Sequence, residues 1–105
     1  MTTTFVLQPG IYLVQLHVPF VEVIIPNPNT GGTVGFTVPV LVNGNQISAF
    51  TGQGVLVNNH AIFPVTGNKL LQITDANTVV GFNAQNPFNY SINALFFNII
   101  FTRLQ

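Results

Sequence analysis

The sequence predicts a single all-β domain over residues 1–105, folded as a two-sheet antiparallel sandwich. Three observations carry that prediction. Ala, Glu, Lys and Arg are scarce while Val, Ile, Phe and Thr are abundant, a composition that suits a pleated, half-buried surface better than a helix. Seven prolines and nine glycines fall at short intervals, so the apolar stretches between them have strand length. Several of those stretches alternate with a period of two, which puts one face in a core and the other in water.

Residues 11–18 place Tyr12, Val14, Leu16 and Val18 on one face and Ile11, Leu13, Gln15 and His17 on the other. Residues 20–25 form a second apolar stretch, closed by the Pro-, Asn- and Gly-rich segment 26–32, which reads as a loop. Residues 33–42 carry the cleanest alternation, with Val34, Phe36, Val38, Val40 and Val42 on one face. Pro39 donates no ladder hydrogen bond, so this strand is expected at an edge or beside a bulge. Asn43-Gly44 follows, a pair that favours a type I′ hairpin because both positions need positive φ. Further strands are expected near 46–50, 54–57, 61–65, 69–74 and 78–84. Turns are expected at Thr51-Gly52, Asn58-Asn59, Thr66-Gly67-Asn68, Asp75-Ala76-Asn77 and Asn86-Pro87.

The last stretch, about 91–104, differs from the others. Ile92, Ala94, Phe96, Ile100 and Leu104 would share one face, and Leu95, Phe97, Ile99 and Phe101 the other. A strand of a two-layer antiparallel sandwich ordinarily has one wet face. Here a second cover is needed, either a loop of the same chain or neighbouring copies of it. If Phe97 and Phe101 each hid ~150 Å² in a three-fold interface, six rings would bury ~900 Å², a gross gain of ~22 kcal/mol. The association entropy of three bodies offsets much of this gain. Left bare, the strand would invite aggregation.

Charge is nearly absent: 4% of residues, with a net charge of zero, where a soluble domain has about 25%. With only Glu22, Lys69, Asp75 and Arg103, the chain has no basic stripe for nucleic acid and no polybasic cluster for an anionic membrane. No apolar run approaches the ~20 residues of a membrane-spanning helix. The Met-Thr-Thr-Thr start lacks the basic and apolar regions of a signal peptide. Without cysteine there is neither a disulfide framework nor a thiolate metal site. Near-zero net charge also favours association, and a weak dependence of stability on pH is expected because few groups titrate.

Three strings bear a resemblance. Pro9-Gly10-Ile11-Tyr12-Leu13-Val14, Val40-Leu41-Val42-Asn43-Gly44 and the terminal stretch from Ala94 to Leu104, with its closing Arg103-Leu104, occur in that order. Together they resemble the C1q/TNF-like jelly rolls, and most nearly the C-terminal heads of Bacillus collagen-like spore-surface glycoproteins of the BclA type. The likeness runs loosely over residues 5–104. The family's Gly-Asp pair before a late strand is represented here by Asp75-Ala76-Asn77.

The resemblance implies a ten-strand-type jelly roll forming a tight homotrimer at the spore or cell surface, outside the cell, capping an upstream collagen-like or filament stalk. It assigns the trimer interface to Leu95, Phe97, Ile99 and Phe101, and with them Tyr12 and Phe82. From the small inventory of titratable and metal-ligating side chains, no cofactor and no metal are expected.

Catalysis has few candidates. A carboxylate pair could only be Glu22 with Asp75, one within an apolar strand and the other in a turn. Ser48 or Ser91 would need a histidine and Asp75 as partners, and no nucleophile elbow is present. His17 reads as a polar residue on a half-wet strand and His60 as a turn residue. One histidine per chain on a three-fold axis is the remaining metal arrangement. Gly52 and Gly54 lack the following helix that a phosphate loop requires.

The leading expectation is therefore a non-catalytic trimeric head serving trimerisation, capping and surface interaction. The alternatives are a receptor- or glycan-binding adhesin, using Asn29, Asn45, Gln53, Asn89 and Tyr90 on amide-rich loops toward a host or environmental surface, and a phage or viral fibre tip.

Overall fold

Eight strands make up the computed structural model, which describes residues 2–26, 32–84 and 90–105. They are β1 (Thr2–Leu7), β2 (Gly10–Ile24), β3 (Thr33–Val42), β4 (Asn45–Val55), β5 (His60–Ile73), β6 (Thr78–Asn83), β7 (Ser91–Leu95) and β8 (Asn98–Arg103). No helix occurs among the described residues. The chain builds two antiparallel sheets. The first has the order β1-β6-β3-β4; the second has β5-β2-β7, with β8 also pairing β2. β7 and β8 lie end to end along one side of β2, opposite Phe20–Ile24 and Tyr12–His17 respectively, so the second sheet is three strands wide.

Alternation explains the packing. In β2, Tyr12, Val14, Leu16 and Val18 point into the core, as their spacing predicts, followed by Val21 and Val23 after a register shift between Val18 and Val21. That shift, spanning Pro19, keeps apolar side chains inward on both sides of a proline that cannot donate to the ladder. Ala61, Phe63, Val65, Leu71 and Ile73 of β5 face the same core. From the first sheet, Phe36, Val38 and Val40 of β3, Phe50 of β4, and Val80 and Phe82 of β6 meet them.

The turns follow local chemistry where the φ angles demand it. Asn43 and Gly44 have φ of 50° and 85°, closing β3 onto β4 as a type I′ pair should. The Asn43 side-chain oxygen accepts a hydrogen bond from the Val79 amide at 3.0 Å, fastening the turn to β6. Asn58 and Asn59 are likewise left-handed. Asn77, at φ 57°, completes the turn before β6, where the Thr78 hydroxyl donates to the Asp75 carbonyl at 2.8 Å. Pro39 sits one residue beyond the β3–β6 ladder and next to the irregularity at Val40/Leu41.

Three expectations are corrected. Thr51-Gly52 and Thr66-Gly67-Asn68 are not turns: β4 and β5 run straight through them. Their glycines serve close approach between the sheets. A Cβ at Gly52 would sit 2.6 Å from the Pro64 carbonyl oxygen, and one at Gly67 2.7 Å from the Phe50 ring. β1 was not expected as a strand, yet it pairs with β6 over Thr2–Leu7 and brings Phe5 against the core. The last stretch is not one strand. Phe96 adopts φ 62° and separates β7 from β8. The predicted loop residues 27–31 and the Asn86-Pro87 turn lie outside the described residues.

Candidate functional site

The break at Phe96 decides which side chains the second sheet turns outward. Before it, Ile92 and Ala94 pack on the core; after it, Phe97, Ile99 and Phe101 do. A left-handed residue between two strand segments shifts the alternation by one, so the inward set changes from even to odd positions. The Asn98 side-chain amide donates to the Phe96 carbonyl at 3.0 Å and holds the step. Phe96 itself is 73% exposed.

This corrects the interface residues expected from the sequence. Tyr12 and Phe82, 7% and 2% exposed, belong to the chain's own core and have no surface to offer a partner. Phe101 joins them: its ring centroid is 5.0 Å from Phe5, 6.0 Å from Phe82 and 6.5 Å from Tyr12, in edge-on or tilted contacts. This cluster closes the side of the sandwich where β1 and β8 are the edges. Phe97 and Ile99 are half-buried on the same inner face. Of the expected set, Leu95 alone is exposed.

The outward row holds different residues. Leu13 of β2 lies directly across from Leu70 of β5 and Thr102 of β8, while Gln15 lies across from Asn68 and Ile100. Ile11 adjoins Leu104, whose amide donates to the Ile11 carbonyl at 2.7 Å. Leu70, Ile100 and Leu104 are 69%, 55% and 53% exposed. Opposed residues in antiparallel strands share a face. Ile11, Leu13, Leu70, Ile100 and Leu104 thus share the outer face of three strands, interspersed with Gln15, Asn68, Gln72 and Thr102. Beyond the polar band of His17, Thr66 and Asn98, Leu95, Phe96 and Ile62 continue the exposed apolar surface toward the other end. Ile11 and Leu13 opposite a buried face, and the adjacent pair Leu70-Leu71, are the sequence signals that would have found this field.

The ends of the resembled strings meet. Arg103 donates through Nη2 to the Pro9 carbonyl at 2.8 Å and through Nε to the Gln105 carbonyl at 3.2 Å. The Tyr12 hydroxyl donates to the Gln8 carbonyl at 2.7 Å. These bonds tie the C-terminal strand to the start of β2, a structural task for the Arg-Leu ending.

The chemistry-bearing residues are dispersed. Glu22 Oε2 and His60 Nε2 are 2.7 Å apart, a partly exposed pair near the β2 end that pairs with β5 and β7. Asp75 lies at the opposite end, in the turn after β5. His17 is exposed on the outer face beside Thr66 and Asn98. No group of three potential metal-ligating side chains occurs among the described residues. The expected ligand loops do not converge either. Asn29 and Asn89 lie outside the described residues. Asn45 and Gln53 are exposed but about 26 Å apart along β4 at the usual strand rise. Tyr90 is half-buried at the far end, beside the core.

No protein-family model matches the chain, and no curated protein matches it in sequence.

Proposed function

We propose that the chain is a non-catalytic C1q/TNF-like jelly-roll head that assembles as a homotrimer through the outer face of the β5-β2-β7/β8 sheet. In this reading it caps an upstream collagen-like or filament stalk on a spore or cell surface. The observation that carries the proposal is the set of five outward apolar side chains, Ile11, Leu13, Leu70, Ile100 and Leu104, on the three strands of this sheet. Water-facing positions of a three-stranded sheet would ordinarily be polar, and an apolar field spanning a sheet marks an interaction surface.

The strand orders support the jelly-roll part. The chain crosses between the sheets five times, leaving β1, β3, β4 and β6 in one and β2, β5, β7 and β8 in the other. The near-absence of charge supports self-association over steering toward a charged ligand.

The magnitudes are adequate. Full burial of an exposed Leu or Ile side chain contributes about 1.5–3 kcal/mol. Five partly exposed ones per copy give a gross gain of roughly 5–8 kcal/mol for each subunit, enough to compete with the entropy of association. The adhesin reading has less support, because the described loop residues do not form one surface. Light scattering on the purified chain tests the proposal: a particle of three 11.4 kDa subunits is expected, and a stable monomer at micromolar concentration refutes it.

A further inference from the structure

The outer face of the second sheet carries a group that changes its charge near neutral pH. His17 stands exposed on β2, with Thr66 of β5 and Asn98 of β8 directly across from it. It lines a shallow depression together with Ile100, Gln15, Thr66 and Asn98. A subunit seated on Ile100 therefore covers His17 as well. Among the described residues, no charged side chain is placed to compensate an imidazolium there. On β5, Lys69 holds its ammonium 5.3 Å from the Phe50 ring centroid, and Asp75 lies in the turn beyond that strand. On β8, Arg103 is bound to the Pro9 and Gln105 carbonyls. On β2 itself, Glu22 shares the outer face with His17 but stands about 15 Å away at the usual strand rise. Its carboxylate is already 2.7 Å from His60 Nε2. The two histidines thus differ: His60 has an acidic partner and His17 has only uncharged neighbours.

We infer that His17 is a pH switch for the assembly: neutral, it is accommodated in the covered face, and protonated, it drives the subunits apart. The inference rests on the proposed association through this sheet. Histidine is the side chain that ordinarily changes charge between pH 5 and 8. Covering it with apolar side chains disfavours the charged form unless an opposite charge meets it. In a symmetric trimer every subunit brings the same His17 to the contact, and the one carboxylate on this face is taken by His60. The free subunit, where His17 is solvated, binds the proton more readily than the assembled one. Association is therefore complete above the histidine range and is lost as the pH falls through it. At most three protons are taken up as a trimer dissociates. The dissociation constant then rises by up to about a thousandfold per pH unit, and the concentration of half-dissociation by up to about thirtyfold. The fold itself is retained, because an exposed imidazolium costs the single subunit little.

The test is sedimentation velocity on a dilution series of the purified chain at pH 8, 7, 6 and 5 and constant ionic strength, with circular dichroism on the same samples. The wild-type chain should be trimeric at pH 8 and dissociate progressively below pH 7, with its strand content unchanged. His17→Gln, polar but uncharged, should stay trimeric down to pH 5. His17→Lys, charged throughout, should already be a folded monomer at pH 8. His60→Gln should keep the wild-type response. Four results overturn the inference while leaving the association standing: a wild-type midpoint concentration that moves less than about threefold between pH 8 and 5, a His17→Gln trimer that dissociates in acid as the wild type does, a His17→Lys chain that stays trimeric at pH 8, or loss of the response in His60→Gln. A wild-type monomer at pH 8 removes the association itself, and the inference with it.

Discussion

The outer faces of the two sheets are made of different material. The β1-β6-β3-β4 sheet shows water Thr33, Gly35, Thr37, Thr51 and Gln53, with the Thr37 and Thr51 hydroxyls 3.4 Å apart across the β3–β4 ladder. Val6 beside Val79, and Val55 at the far end of β4, are exposed on it as well, and Pro39, Leu41 and Ala49 lie on the same outer face nearer its middle. The β5-β2-β7/β8 sheet places Leu13, Leu70 and Ile100 in the middle of its outer face, on three adjacent strands. Both sheets bury one face in a shared core, so fold stability does not require the difference. The exposed leucine and isoleucine side chains Leu70, Ile100 and Leu104 on the outer side of the second sheet point to a further contact for that sheet.

Paired substitutions on the two faces break or sharpen this contrast, and the largest effect should come from charge. Ile100→Asp should convert the assembly to monomer while the strand content by circular dichroism stays intact. Thr51→Asp, at the matching depth on the other sheet, should leave the mass unchanged. Equal effects from the two would remove the asymmetry on which the proposal depends.

Phe101→Ala separates core from interface. Its ring packs on Phe5, Tyr12 and Phe82 of the same chain. We expect a loss of about 2–3 kcal/mol in chemical denaturation with association preserved below the transition. Dissociation without loss of stability would return Phe101 to the interface. Gly67→Ala drives a methyl toward the Phe50 ring and should lower stability by about 1–3 kcal/mol. A neutral result would mean that β4 and β5 have room to part. The smallest effect belongs to the Glu22–His60 pair. It is partly exposed, and Glu22→Gln should cost no more than about 1 kcal/mol, seen as a few degrees in melting temperature.

Much of the sandwich could be read from residue spacing. The inward sets Tyr12/Val14/Leu16/Val18 and Phe36/Val38/Val40, and the left-handed turns at Asn43-Gly44 and Asn77, depend on local rules that a sequence displays directly. What could not be read depends on contacts distant in the chain. Gly52 and Gly67 look like turn residues because glycine permits turns; their reason here is the opposing sheet, which local sequence does not record. β1 is a short threonine-rich stretch whose partner, β6, lies more than seventy residues away.

The site was half legible for a related reason. That the terminal stretch is apolar on both sides was evident, and so was the need for a second cover. Which side faces outward was not, because it turns on the single left-handed residue Phe96. Nothing in a bulky aromatic side chain announces positive φ.

The covering of the outer field can be observed directly, by the effect of a soluble paramagnetic agent on the methyl NMR signals of the assembled protein. The account predicts that the methyls of Leu13, Leu70 and Ile100 are shielded while those of Val6 and Val55 are strongly broadened. Equal broadening of both sets at concentrations well above micromolar would contradict it.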